Sequence, residues 1–438
     1  MTRSRNGAVV GSRSASSDEV STGHRSGAQA RKPHEVPSGP ERVWCYSRRV
    51  TSPSFSAGGP ARPDGQARGL VARRRAFGSI ADETWDALVD RTPAASPFSR
   101  HCVQQAWWDA YGATAHDQTL VVVDEAAPEE IVAIAPLMHR HELEPGDVAA
   151  KTTLRHQAGT TLRPVPASAT AVFFGASYHA DYATILAAPA DLPGACDAVA
   201  AALADEDPSR WDVLDLRRLR AGDPATDALV AAFEAVAARA GWLVTREPED
   251  VCPILTLPVG LDFEGYLGTL DKKERHEIRR KIRRAETAGA VVLEPSAEPA
   301  ADLEAFIDLH QKRWGDEGLF PATEGGAASR RFFEDLFENC APSGIVELDF
   351  LTVGGRRIAA GVTLHDRQTV YYYNAGVEPD ARDLSPGVVM VACYIQRAIE
   401  LGRTRLDFMR GNEPYKYAWG AVDEPIERLL VQRTTGGR

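Results

Sequence analysis

The chain has 438 residues, of which 44% are hydrophobic and 25% charged, with a formal net charge of −11. That length exceeds what one hydrophobic core usually serves, so two domains are expected. The acidity argues against a general nucleic-acid coat. The cysteines, Cys45, Cys102, Cys196, Cys252, Cys340 and Cys393, are scattered and form no CxxC pair. This pattern predicts free thiols in a reducing, cytoplasmic compartment rather than a zinc site or a disulfide framework. No run reaches the ~18 apolar residues of a membrane span, and the basic N-terminus lacks the apolar core of a secretory signal.

Residues 1–78 carry 14 Lys and Arg against 5 Asp and Glu, in a Ser-, Gly-, Ala- and Pro-rich background without periodicity. They read as a disordered basic tail. Folded sequence is expected from about Ile80. Cys102 to Tyr111 reads as a helix. Thr119 to Val123, Ile131 to Met138 and Tyr182 to Ala187 read as strands. Pro193 to Ala204 is a helix, Trp211 to Leu219 a strand, and Thr226 to Ala240 a helix ended by Gly241. Trp242 to Thr245 and Ile254 to Leu257 read as two short strands.

The second half opens with a basic helix, Asp271 to Ala288, in which Asp271 and Glu274 have capping-box spacing and Ile278 and Ile282 share a face. Its cations suit an anion, aminoacyl-tRNA or a phosphorylated donor among them, or else a solvated face with intrahelical pairs. Strand Ala290 to Glu294 follows, then helices Ala301 to Trp314 and Ala328 to Asn339. A meander of Ile345 to Val353, Arg357 to His365 and Thr369 to Ala375 comes next. Ser385, Pro386 and Gly387 then start a helix that Gly402 ends. A glycine at a helix start lets an anion approach unpaired N–H groups at the positive end of the dipole. Arg405 to Met409 reads as a strand, a polar-aromatic run from Arg410 to Trp419 comes after it, and Ile426 to Arg433 is the last strand.

An internal repeat is visible. Asp191-Leu192-Pro193-Gly194 and Asp383-Leu384-Ser385-Pro386-Gly387 each open a helix, and Leu214-Asp215-Leu216 echoes Leu406-Asp407-Phe408 at nearly the same distance downstream. Duplication of a strand–helix–strand unit is expected, with domains at 79–258 and 259–438.

The loop from Val377 through Arg382 to Gly387 resembles the pyrophosphate loop of the GNAT acyltransferase superfamily, in which an Arg or Gln and glycine precede the helix that holds coenzyme A. The tail DFMRGNEPYKYAWG resembles the Fem-type, CelD-like branch associated with cellulose biosynthesis. With the basic helix and the LHQKRW segment, the resemblance spans roughly Ser79 to Arg433. It implies an α/β fold of tandem GNAT-like domains, with mixed, mostly antiparallel sheets flanked by helices. It also implies an acyl-CoA donor, acetyl-CoA most simply, and an amine acceptor that is a small molecule or a cell-envelope or polysaccharide precursor. Aminoacyl transfer from charged tRNA and a non-catalytic binding module of the same fold are the alternatives.

On that basis Arg382, Ser385, Gly387 and Val388 are expected to hold the donor, with Asn374 and Ala375 at the end of the preceding strand. A backbone N–H in a splayed or bulged strand near Asn374 to Gly376 is expected to steady the carbonyl oxygen. Glu413, in a loop just past a strand, is the candidate base. Tyr415 is the candidate acid toward the leaving thiolate, by analogy with the superfamily's tyrosine. Lys416 and Arg410 suit a phosphate or carboxylate, and Asp407 is expected to orient one of them within the catalytic group. Asn412, His310, Arg313, Trp314 and Tyr373 are expected to line the acceptor side. No HExxH, Cys/His cluster, GxSxG or P-loop occurs, so no metal is expected. His139-Arg140-His141 reads as surface.

Overall fold

Hydrophobic alternation along the strands and a 3.6-residue apolar period along the helices produce a layered α/β structure, described by a computed structural model. It describes residues 69–140, 162–163, 165, 168–207 and 210–434. The expected basic tail therefore lies almost wholly outside the described residues. Its last part does not fit a disordered tail, because Leu70–Arg74 is a strand paired along Leu120–Asp124.

The first half supplies strands β1 (Leu70–Arg74), β2 (Ala115–Asp117), β3 (Leu120–Asp124), β4 (Ala127–Ala135), β5 (Leu137–Arg140), β6 (Ala171–Phe174), β7 (Leu186–Ala187), β8 (Val213–Arg220) and β9 (Trp242–Thr256). The second supplies β10 (Val291–Pro295), β11 (Val346–Val353), β12 (Arg356–His365), β13 (Thr369–Val377), β14 (Arg405–Asp407) and β15 (Val422–Arg433). Helices α1 (Asp82–Arg91), α2 (His101–Tyr111), α3 (Leu192–Asp205) and α4 (Pro224–Ala240) belong to the first half. Helices α5 (Phe263–Thr269), α6 (Lys272–Ala288), α7 (Leu303–Trp314), α8 (Glu324–Cys340), α9 (Pro386–Glu400) and α10 (Pro414–Tyr417) belong to the second.

One sheet runs through both halves in the order β10-β11-β12-β13-β14-β9-β15-β8-β6-β5-β2. Its centre is an exchange: β9, from the first half, pairs with β14, while β15, the last strand of the chain, pairs with β8. On either side lie parallel pairs, β13 with β14 and β6 with β8, each joined by a crossover helix, α9 or α3. A strand–helix–strand unit is thus present twice, but in the first half its opening strand is β6 in place of the expected Tyr182 to Ala187, whose strand β7 lies in the other sheet. A second sheet, β1-β3-β4-β7, covers the first half.

The exchange explains one misreading. The sequence suggested two short strands, Trp242 to Thr245 and Ile254 to Leu257, yet β9 is continuous over 15 residues because β15 pairs along nearly its whole length, β14 adds three pairs near its end, and a register shift lies beside Pro248. Conversely, Tyr182 to Ala187 is strand only at Leu186–Ala187. The expected strand from Ile131 to Met138 breaks at Pro136, which cannot donate to a ladder.

Burial of Ile278, Ile282 and Ala285 seats α6 against α9 and the second half's sheet, leaving its cations outside. Asp271 is the N-cap residue of α6 but makes no side-chain cap bond, so the expected capping box does not form. Two further expectations fail. His139 is buried in β5, stacked on His116, rather than at the surface. Cys102 and Cys340 form a disulfide between α2 and α8, with Cα atoms 5.7 Å apart. Sequence spacing cannot reveal a pairing that tertiary packing makes across 238 residues. Cys196, Cys252 and Cys393 are free and buried.

Candidate active site

The parallel pair β13–β14 is short. Its register runs Thr369–Arg405, Val370–Leu406 and Tyr371–Asp407 and stops there. β14 ends at Asp407, and Met409 turns away in the left-handed region at φ 62°. From Tyr372 onward, β13 therefore has no strand on that edge among the described residues. Its other edge carries an irregularity: Val362 faces Asn374 but Thr363 faces Tyr372, so Tyr373 is the extra residue of a β-bulge. A bulge bends the strand and leaves one residue outside the ladder.

The chain leaves β13 through Pro379–Leu384 and enters α9. Ser385 is the N-cap residue, but at φ 54° its side chain makes no cap bond; the carbonyl of Ser385 instead accepts from Val388 and Val389. A Cβ added at Gly387 would meet nothing within 4 Å, so this helix start is open. The matching corner of the first half is occupied: a Cβ at Gly194 would lie 3.1 Å from the Leu70 side chain. Among the described residues, the strand β1 that closes it has no counterpart over Gly387. Arg382 is exposed beside the open corner, and Arg284 of α6 donates to the Asp383 carbonyl at 2.6 Å.

On the other side of β13, α7 lies close. A Cβ at Gly376 would overlap the backbone of Leu309 and His310. Trp314 donates its indole N–H to the Ala375 carbonyl at 3.3 Å. Arg313 is exposed, with its guanidinium 4.6 Å from the Trp314 ring centre and near the phenols of Tyr372 and Tyr415. Burial raises Tyr372 to about 12, opposed by Arg313. His310 is buried among Phe306, Phe320 and Trp314, and desolvation lowers it to about 4, so its imidazole is neutral at pH 7.

The run after β14 curls into a compact loop. Lys416 is 2% exposed and directs its ammonium at three carbonyls, Met409 (3.0 Å), Arg410 (2.9 Å) and Gly411 (2.9 Å), and at Glu413 Oε2 (2.9 Å). This geometry makes it the staple of the loop rather than a phosphate ligand. Arg410 is likewise engaged, 3.3 Å from Asp181 of the first half. Tyr415 is 41% exposed, with its ring against Phe408, and Asn412 is exposed beside it in sequence. Trp314 through Ala375, and Tyr372, Arg313, Tyr415 and Glu413 through their electrostatic coupling, converge beyond the splay. Tyr373 points to the opposite face, where its hydroxyl donates to the His179 carbonyl at 2.9 Å.

Asp407 does not orient Arg410 or Lys416, as the sequence suggested. It is fully buried and accepts from the Tyr182 hydroxyl (2.7 Å) and the Met409 amide (2.7 Å). The alternation that buried it gave no hint that its partner would come from the first half. Desolvation raises its carboxyl to about 6, against the pull of Tyr182 and Arg220. A raised folded-state value means that the group's contribution to stability is complete below the unfolded value of 3.8. It is lost as pH rises through about 6, an effect of up to about 3 kcal/mol. Asp407→Asn should therefore gain on the wild type in thermal melts between pH 4.5 and 7.5; a difference that ignores pH would contradict this.

A cavity of about 590 Å3 lies at the opposite ends of β13 and β14, lined by Thr369, Tyr371, Arg405, Asp407, Arg220 and Glu424 among others. Several of its charges are paired with one another: Arg220 with Glu424 at 3.4 Å, Arg405 with Glu424, and Arg100 with Asp90 at 2.5 Å. Gly387 is not among its lining residues.

Residues 272–417, about a third of the chain, match the family model described as an acetyltransferase (GNAT) domain. No curated protein matches. The solved structure of FemX is similar at a TM-score of 0.52 and 12% identity, covering 80% of this chain and 96% of that one. A conserved protein of unknown function from Bacteroides thetaiotaomicron VPI-5482 gives 0.48 at 12% identity, covering 81% and 98%. A tandem GNAT protein from the clavulanic acid biosynthesis pathway gives 0.43 at 10% identity, covering 84% and 100%. The chain has the α/β fold of the GNAT acyltransferase superfamily, with mixed, mostly antiparallel sheets flanked by helices.

Proposed function

We propose that the chain moves an acyl group, most simply acetyl, from an acyl-CoA to an amine, and that the second half carries the donor site. The observation behind this reading is the open helix start at Gly387 next to a bulged strand that β14 has left. A coenzyme A donor would supply an activated thioester on a long arm that ends in a diphosphate. The residues fit such a molecule. The Gly387 amide at the start of α9 suits the diphosphate, with Ser385 at the cap and Arg382 beside it; the Val388 amide, expected to join them, is already given to the Ser385 carbonyl. The vacant edge of β13 at Asn374 and Ala375 offers main-chain groups to the arm. The bulge amide suits the carbonyl oxygen as charge develops there.

In the reaction, the amine nitrogen bonds to the carbonyl carbon and the carbon–sulfur bond breaks. The nitrogen gives up a proton and the sulfur takes one. Much of the rate would come from holding the two reactants together. Glu413 is the proposed base, steadied by Lys416, and Tyr415 the proposed acid toward sulfur. Arg313, Trp314 and Asn412 border the approach of the amine. The acceptor is proposed to be a small molecule or an envelope or polysaccharide precursor.

A second reading, aminoacyl transfer from charged tRNA, is favoured by one observation: the basic helix α6 reaches the donor loop through Arg284. Native mass spectrometry and calorimetry separate the two. Acyl transfer predicts co-purified coenzyme A species and heat on titration with acetyl-CoA. Silence in both, with tRNA retained in a salt-dependent way, would replace it with the second reading. Silence with no tRNA retention would leave a non-catalytic module of the same fold.

A further inference from the structure

We propose that Tyr373 and His179 are positioning residues for acyl transfer. In this proposal a hydrogen-bonded chain reaching over from the first half holds the β13 bulge so that its amide faces the thioester carbonyl. The proposal rests on the acyl-transfer reading above.

A bulge is a soft place in a strand. Here it is softer still, because β14 has already departed and β12 alone flanks that stretch. Something other than the ladder must fix its geometry. Tyr373 is the extra residue, and its side chain is anchored at both levels. The hydroxyl donates to the His179 carbonyl at 2.9 Å and lies 3.2 Å from His179 Nδ1. The ring stacks on Phe333 with centroids 6.0 Å apart and meets the edge of Phe98 at 5.4 Å.

His179 is itself immobilised. Its ring lies flat on Phe332, 3.9 Å between centroids and 5° between planes. Its Nε2 lies 2.8 Å from the Tyr111 hydroxyl, which lies 3.0 Å from Ser329 Oγ. One arrangement of protons serves all these contacts. Tyr373 spends its proton on a carbonyl, so it accepts from Nδ1–H. In the neutral imidazole Nε2 is then bare and accepts from Tyr111, which accepts from Ser329. The chain spans both halves: Tyr111 and His179, in its middle, come from the first, and Ser329 and Tyr373, at its ends, from the second.

Burying two phenols, an imidazole and a hydroxyl in an aromatic core costs stability unless each is satisfied, and phenylalanine would fill the same space without that cost. The expense falls on the single residue whose backbone forms the bulge. A satisfied polar network fixes one geometry where an apolar core would permit several. The first half thereby becomes part of the site without touching either reactant.

The test uses the full chain and [1-13C]acetyl-CoA. Infrared difference spectra read the thioester carbonyl, whose stretch falls when a fixed N–H polarises it, and calorimetry reads donor affinity. Wild type should show the downshifted band. Tyr373→Phe should lose most of that shift while its dissociation constant for acetyl-CoA stays within about threefold, a change of less than 1 kcal/mol. Tyr111→Phe, one link further along, should lose part of it and serves if Tyr373→Phe does not fold. A wild-type band position in the folded variants would overturn the positioning role and leave the acyl-transfer reading standing. Wild-type protein that takes up no acetyl-CoA would overturn that reading and this proposal together.

Discussion

Gly387→Glu is expected to abolish coenzyme A binding in a protein that folds and melts as the wild type does. The fold should tolerate the change because a Cβ at 387 meets nothing within 4 Å. Glutamate is also well suited to the first turn of a helix, where its charge opposes the positive end of the dipole. The same charge would stand where the diphosphate must sit. Two unit charges of like sign at close range, at the dielectric of a protein surface, repel by about 4 kcal/mol, or about a thousandfold in affinity. The side chain also fills the opening. Circular dichroism and thermal melting should be unchanged, while calorimetry with coenzyme A falls silent. Binding retained in Gly387→Glu would mean that the diphosphate lies elsewhere.

Lys416→Met should do the reverse of what a catalytic lysine would show. The ammonium of Lys416 satisfies the carbonyls of Met409, Arg410 and Gly411 and pairs with Glu413 in a nearly closed environment. Methionine matches its length but leaves three acceptors and a carboxylate without their cation. Removing one partner of such a buried set costs about 3–5 kcal/mol. The denaturant midpoint should fall accordingly, and the loop that carries Glu413 and Tyr415 should become protease-sensitive. A variant that unfolds at the wild-type midpoint but has lost turnover would restore Lys416 to the chemistry.

These two residues also illustrate what could be read from the sequence. The helix start at Gly387 was legible because local rules made it: a proline suited to the first turn, a glycine, and an apolar 3.6-residue period running to Gly402. The duplicated unit was legible for the same reason, since Asp191–Gly194 and Asp383–Gly387 stand in like positions before like strands. What distinguishes the two corners was not legible, because it depends on Leu70, more than a hundred residues away, closing over Gly194 while none of the described residues closes over Gly387.

The role of Lys416 was hidden for a related reason. A lysine in a polar-aromatic run reads as an available cation until the loop's own carbonyls are seen to surround it. The run Tyr371-Tyr372-Tyr373-Asn374 reads as plain alternation, and only the pairing with β12 exposes Tyr373 as the extra residue. The exchange of β9 and β15 escaped for the most general reason. A strand's sequence says that it will pair, and tertiary topology decides with what.

The most direct test of the central claim is a crystal structure of the chain grown with coenzyme A. The diphosphate is expected against the amide of Gly387, beside Arg382, with the sulfur end of the arm running along β13 toward Tyr373 and Asn374. A diphosphate at the start of α3 beside Gly194, or in the cavity near Arg220 and Arg405, would contradict it.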